Sequence, residues 1–179
     1  MNRGQNELTT PVGATDHVQG PPDAPVTLVE YGDYECPYCG MAYPIVKRVQ
    51  AKLGNQLKFV FRNFPLAEAH PHAAAAAELA EAAAAQGKFW EMHDTLYEHQ
   101  RALTPADLER HARKVGLDLT ALEAELRGGK PHQRVKADFM SGVRSGVNGT
   151  PTFFINGQRF DGDWRDTEIL ATALIAAAH

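Results

Sequence analysis

The sequence has only two cysteines in 179 residues. That is too few for a secreted scaffold stapled by several disulfides, so whatever they do is local. Positive charge is not in excess: 18 Lys and Arg against 22 Asp and Glu leave a formal net charge of −4. Binding to phosphate-rich surfaces needs clustered cations, so neither nucleic acid nor anionic lipid is an expected partner. Long hydrophobic runs are missing as well. The longest monotonous stretch, Ala73 to Ala77, is short and weakly apolar, whereas a membrane-spanning helix needs about 18 or more apolar residues. No integral membrane segment is therefore expected. Nor does the stretch before Val26 hold a compact apolar segment that could serve a signal peptide. As it stands the sequence reads as cytoplasmic, and as periplasmic or otherwise extracytoplasmic if a leader has been removed. What remains, with 44% hydrophobic and 22% charged residues, is enough chain for one domain with a real core.

Gly13, Gly20, Pro11, Pro21, Pro22 and Pro25 interrupt any periodicity at the start, so residues 1–24 read as an N-terminal arm and 25–179 as the domain. Val26–Tyr31 and Leu57–Arg62 are β-branched and aromatic runs bounded by turn residues, the signature of strands. Between them Ala42, Ile45, Val46, Val49 and Leu53 recur at helical spacing until Gly54-Asn55, which predicts a right-handed β-α-β unit. From about 71 to 145 the chain turns helical, with an Ala-rich segment, then Phe89, Trp90, Met92, Leu96 and Tyr97. Thr104-Pro105-Ala-Asp107 is a strong helix start, followed by Leu108, Ala112 and Val115 and stopped by Gly116. Further stripes run through Leu119, Leu122 and Leu126, and through Val135, Phe139 and Val143. Sheet character returns at Thr152–Ile155, Asn156-Gly157 and Gln158–Phe160, because Asn-Gly supplies the positive φ angles of a type I′ hairpin turn. Ile169, Leu170, Ala173 and Leu174 mark a closing helix. The expected class is α/β: β-α-β, a helical insertion at about 71–145, then β-β-α, around a central mixed sheet.

Cys36-Pro37-Tyr38-Cys39 falls where the first strand gives way to the first helix. Only about one random placement of two cysteines in a hundred would give this separation. A thiol at a helix N-terminus faces unpaired N–H groups and the positive end of the helix dipole, which favour the thiolate. Cys36 is thus the expected attacking sulfur, and Cys39, one turn further in, is placed to attack the mixed disulfide that Cys36 forms. Pro37 suits the first helical position. Zinc would need four ligands where this motif supplies two, and His70 and His72 lie beyond the second strand. A disulfide closing so small a loop would stabilise little, and inert buried thiols do not suit a helix start. No metal is expected. His70-Pro71-His72 reads as the turn into the Ala-rich helix, and Asp161-Gly-Asp163 as a turn rather than a calcium loop. Phe89, Trp90, Met92 and Tyr97 read as core rather than as an apolar docking surface.

The segment Glu30-Tyr-Gly-Asp-Tyr-Glu-Cys-Pro-Tyr-Cys39 with Pro44, and the later Gly149-Thr-Pro-Thr-Phe-Phe-Ile-Asn-Gly157, resembles the DsbA-like branch of the thioredoxin superfamily. Two distant motifs and the order of elements agree over about residues 20–178. The resemblance implies a thioredoxin-like fold and a bacterial thiol-disulfide oxidoreductase acting on protein cysteines. It makes Thr150-Pro151 the family's cis-proline loop, lying against Cys36. There Thr150 and Pro151, with Pro37 and Tyr38, would bind an extended substrate segment by strand addition. On sequence alone that bond would read as trans, since only about 5–6% of X–Pro bonds are cis. Glu30 matches a buried acid beneath the active site that can relay a proton, although a strand-end carboxylate in solvent is an equal reading of the residues. Pro44 matches a helix-kinking proline.

The central Pro37-Tyr38 departs from the most oxidising members, which place a histidine there, and this leaves the direction of electron flow open. No cofactor is expected beyond the Cys36–Cys39 pair itself. The expected partners are cysteine-containing proteins and a redox partner or glutathione that resets the pair, with the chain a monomer. Two other readings stand beside this one: a redox-sensing or holdase-like binding module without catalysis, and a glutathione-dependent isomerase or transferase.

Overall fold

In the computed structural model, which describes residues 6–179, strand β2 (Val26–Gly32) runs parallel to β3 (Leu57–Asn63), in register from Val26–Leu57 to Gly32–Asn63. Helix α1 (Pro37–Leu53) makes the crossover between them. Strand β4 (Thr152–Ile155) lies antiparallel on the other side of β2, and β5 (Gln158–Phe160) pairs with β4 through the Asn156-Gly157 turn. Both turn residues have positive φ, 47° and 82°, as the type I′ geometry requires. Strand β1 (His17–Gln19) runs antiparallel to β3, so the mixed sheet has the order β1-β3-β2-β4-β5.

Both faces of this sheet are covered, which is why burial along β2 and β3 does not alternate. Val26, Leu28, Phe59, Phe61, Phe153 and Ile155 point to one face, into a large core shared with α1, the closing helix α7 (Thr167–Ala177) and much of the helical block. Val29, Tyr31, Val60 and Phe154 point to the other, with Phe64 and Val147. Between β3 and β4 the chain forms α2 (Ala73–Ala84), α3 (Phe89–Glu98), α4 (Pro105–Val115), α5 (Leu119–Gly128) and α6 (Lys130–Arg144). Thr104 and Asp107 close a reciprocal capping box at the start of α4, and Gly116 ends it in the left-handed conformation. Phe89, Met92 and Tyr97 are buried, as their spacing indicated. Leu126, Val143 and Ile169 are exposed despite theirs. Leu126 shows the cause: α5 lies at the rim of the block and fully buries only Leu122.

The expectation of an arm outside the fold over residues 1–24 needs correction for the described part. Leu8 N–H donates to Gly157 O at 2.8 Å and Arg159 N–H to Asn6 O at 2.8 Å, along the edge of β5. The chain then crosses the second face, packing Leu8, Val12 and Val18 on its cluster, and joins the opposite edge as β1. Proline-broken sequence hid this strap because its order comes from partners the sheet edges offer, not from its own periodicity. Asp16 anchors it with two carboxylate oxygens 2.9 and 3.0 Å from the buried Arg62 guanidinium. The residues of the arm before Asn6 lie outside the described residues.

Candidate active site

Strand β2 delivers its last residues to a loop, Asp33–Glu35, that turns directly into α1. Cys36 is the N-cap of that helix, in extended conformation, and Pro37 occupies its first turn. Both cysteines are free thiols. Cys39, one turn in, is fully buried, whereas Pro37 and Tyr38 project into solvent and Tyr38 is 58% exposed. Pro44 sits inside α1, where it has no N–H to give the preceding turn.

From the opposite side the loop before β4 comes against Cys36. Its Thr150–Pro151 peptide is cis, and the Cys36 thiol donates to Thr150 O at 3.5 Å. The buried Thr150 hydroxyl has no hydrogen-bond partner. The structure thus brings Cys36, Cys39, Thr150 and Pro151 together, with Pro37 and Tyr38 at the rim. Glu30 lies below them: it shares the face of Leu28, that of α1, and is buried with Oε1 unpartnered.

This arrangement separates the two sulfurs chemically. Hydrogen bonding from the Cys39 thiol lowers the Cys36 pKa to about 5, against the cost of burial, with help from Thr150 and the backbone of Tyr38 and Cys39. Burial pushes Cys39 the other way, well above its ordinary value, reinforced by Cys36 and Glu30. Burial also raises Glu30 to about 8, with Cys36 adding to it. The site thus pushes the outer sulfur toward the thiolate, the inner one toward the thiol and the acid beneath them toward its protonated form.

Two further residues hold the site, and the sequence reading missed both. Asp33, fully buried, accepts hydrogen bonds from the N–H groups of Glu35 (2.7 Å), Cys36 (3.2 Å) and Leu66 (2.9 Å), while its own N–H faces Cys39 Sγ at 3.4 Å. Gln100, just beyond α3, gives its amide to Tyr34 O and Cys36 O, each at 2.9 Å. Asp33 stood within the quoted motif but no spacing rule singles it out, and nothing local marks Gln100. His70 and His72 each bind one acid, Asp33 and Glu35. Among the described residues no three His, Cys, Asp or Glu side chains are grouped to hold a metal ion.

Residues 13–173 match the family profile described as Thioredoxin. A curated relative from Salinispora arenicola, called Na(+)/H(+) antiporter NhaA 1, is 46% identical over 178 residues, which is 99% of this chain but 27% of that protein. The chain thus spans about a quarter of the length of the curated relatives it matches. Among solved structures, a thioredoxin-like oxidoreductase from Silicibacter pomeroyi superposes with a TM-score of 0.82 at 28% identity, covering 92% of this chain and 93% of that one. The thiol-disulfide exchange protein α-DsbA2 from Wolbachia pipientis superposes with 0.80 at 20% identity, covering 91% and 87%. With the profile matched across most of its length and the paired thiols facing the proline loop, the chain belongs to the thioredoxin family and carries the DsbA-like form of its fold.

Proposed function

We propose that the chain is a thiol-disulfide oxidoreductase acting on cysteines of other proteins, and that it works mainly as a disulfide donor. The observation that carries this reading is the asymmetry of the pair: one thiolate-forming sulfur at the mouth of the site, one buried thiol behind it. A substrate thiolate attacks Cys36 of the oxidised pair. The Cys36–Cys39 bond breaks, Cys39 leaves with the electron pair, and Glu30 is placed to supply its proton. A second substrate thiolate then attacks the substrate sulfur of the mixed disulfide and expels the Cys36 thiolate, leaving the substrate oxidised and the pair reduced. A leaving thiolate of low pKa favours this direction, because whatever stabilises the reduced pair makes its disulfide a stronger oxidant.

The rim suits an extended, partly apolar substrate. Tyr38 and Met41 are exposed on the first turns of α1, and the backbone at Thr150 lies beside Cys36 ready for strand addition. The antiporter name belongs to relatives of which this chain spans about a quarter. No helix among the described residues is long and apolar enough to cross a membrane.

The test is oxidation of a reduced, unfolded protein by the disulfide form, with the reduction potential measured against glutathione. We expect a value nearer the DsbA end, about −120 mV, than the thioredoxin end, about −270 mV. Cys36→Ser abolishes turnover, and Cys39→Ser accumulates a mixed disulfide at Cys36. A Cys36–Cys39 pair that forms no reversible disulfide would sink the reading in favour of a binding module.

A further inference from the structure

Two histidines that the redox step above does not use, His70 and His72, stand in the loop between β3 and α2 and close on the loop that carries Cys36. His72 binds Glu35 through its ring (2.9 Å) and its N–H (2.6 Å). His70 Nδ1 lies 2.7 Å from Asp33 Oδ2. Asp33 has no side-chain exposure, and its other carboxylate oxygen binds the N–H of Cys36 itself. A carboxylate so close to the nucleophile, shielded from water, opposes a second negative charge on Cys36. A positive charge on that carboxylate would remove the opposition and add to the hydrogen bonds that already favour the thiolate. Among the described residues no Lys or Arg pairs with Asp33 or Glu35, and Pro37-Tyr38 supplies no cation. His70 is the group in position, and its side chain is 19% exposed, so its proton can exchange with solvent.

We propose that His70 is a charge-compensating, positioning residue of the redox site: as an imidazolium on Asp33 it cancels the buried carboxylate beside Cys36 and so favours the thiolate there. The inference rests on the oxidoreductase reading and assigns to a distant loop the cation that the central dipeptide lacks. The titratable groups that act on His70 are Asp33, Cys36 and Glu35, all from the loop at the end of β2. Burial opposes its protonation, but Asp33, then Cys36 and Glu35, hold its pKa above the ordinary value. Reciprocity follows: if His70 favours the thiolate, the thiolate favours protonated His70 by the same free energy. When the pair oxidises, that thiolate disappears and His70 releases its proton more easily. The reduced form is therefore stabilised while His70 stays protonated and loses that help as pH rises through the His70 pKa, so the potential falls more steeply with pH there.

The experiment titrates both partners. The Cys36 thiolate is followed by its absorbance near 240 nm in the reduced wild type, His70→Asn and His70→Lys. The His70 ring is followed by NMR in the reduced and oxidised wild type. We expect His70→Asn, which can still donate to Asp33 but carries no charge, to raise the Cys36 midpoint by about 0.5–1 unit. His70→Lys should restore most of it. The His70 midpoint should drop by a similar amount on oxidation. An unchanged Cys36 midpoint in His70→Asn, an equal rise in His70→Lys, or a His70 titration indifferent to redox state overturns the inference. The last arm needs only the wild type, so a variant that fails to fold does not decide the matter. A wild-type Cys36 that titrates near an ordinary thiol would instead overturn the oxidoreductase reading.

Discussion

Glu30 holds a proton in the folded chain that it loses in the unfolded one over a wide range of pH. Burial, with Cys36 adding, lifts its carboxyl from 4.5 to about 8. Between those values the native state binds more protons than the unfolded state, so this residue makes stability fall as pH rises across the window. Glu30→Gln removes the penalty. We expect the reduced variant to be more stable than the wild type by roughly 2–4 kcal/mol at pH 9, and level with it at pH 4, by urea unfolding. A difference that did not depend on pH would mean that ionisation is not its source. The two cysteines and Thr150-Pro151 were legible because their chemistry is written in short motifs. The orientation of Glu30 was not, since a strand covered on both faces shows no alternation, and only the placement of Leu28 and Gly32 on the side of α1 fixes it. His70 was legible as a residue but not in its role, because its partner Asp33 lies 37 positions away.

At the next scale, α1 carries the site, and its seating depends on a position without a side chain. A Cβ at Gly40 would stand 2.0 Å from Gln100 Oε1, too close for the amide to stay where it binds Tyr34 O and Cys36 O. Gly40→Ala should displace Gln100, cost about 1–3 kcal/mol through the two lost hydrogen bonds, and leave helix content unchanged by circular dichroism. A variant more stable than the wild type by the roughly 1 kcal/mol that Ala gains over Gly inside a helix would mean that those bonds contribute nothing. Helices and turns were the most readable level. The capping box at Thr104, the stops at Gly54 and Gly116, and the Asn156-Gly157 hairpin each follow from local backbone chemistry. Gln100 follows from none, since its partners arrive only when α3 docks against α1.

For the whole molecule, the buried Asp16–Arg62 pair fixes the strap to the sheet. Burial resists the charge on Asp16, but Arg62, Gly13 and Arg134 together hold its pKa below the ordinary value. Its contribution is complete above the unfolded pKa and is lost as pH falls through the lower native value. Asp16→Asn leaves the Arg62 guanidinium without its counter-charge, and we expect a loss of about 3 kcal/mol at pH 7 that shrinks toward pH 2 in denaturant titrations. A variant as stable as the wild type at pH 7 would show that the anchor is dispensable. The architecture was readable from the order of patterns, but the strap was not, because it owes its order to edges formed by residues far along the chain. That distance sets a schedule. Thr9 bonds Ser145 across 136 positions, and Leu8 waits for Gly157. At roughly 5–20 residues per second of synthesis, the strap idles for about seven to thirty seconds before its partners exist, and its docking records that the sheet behind it has been finished.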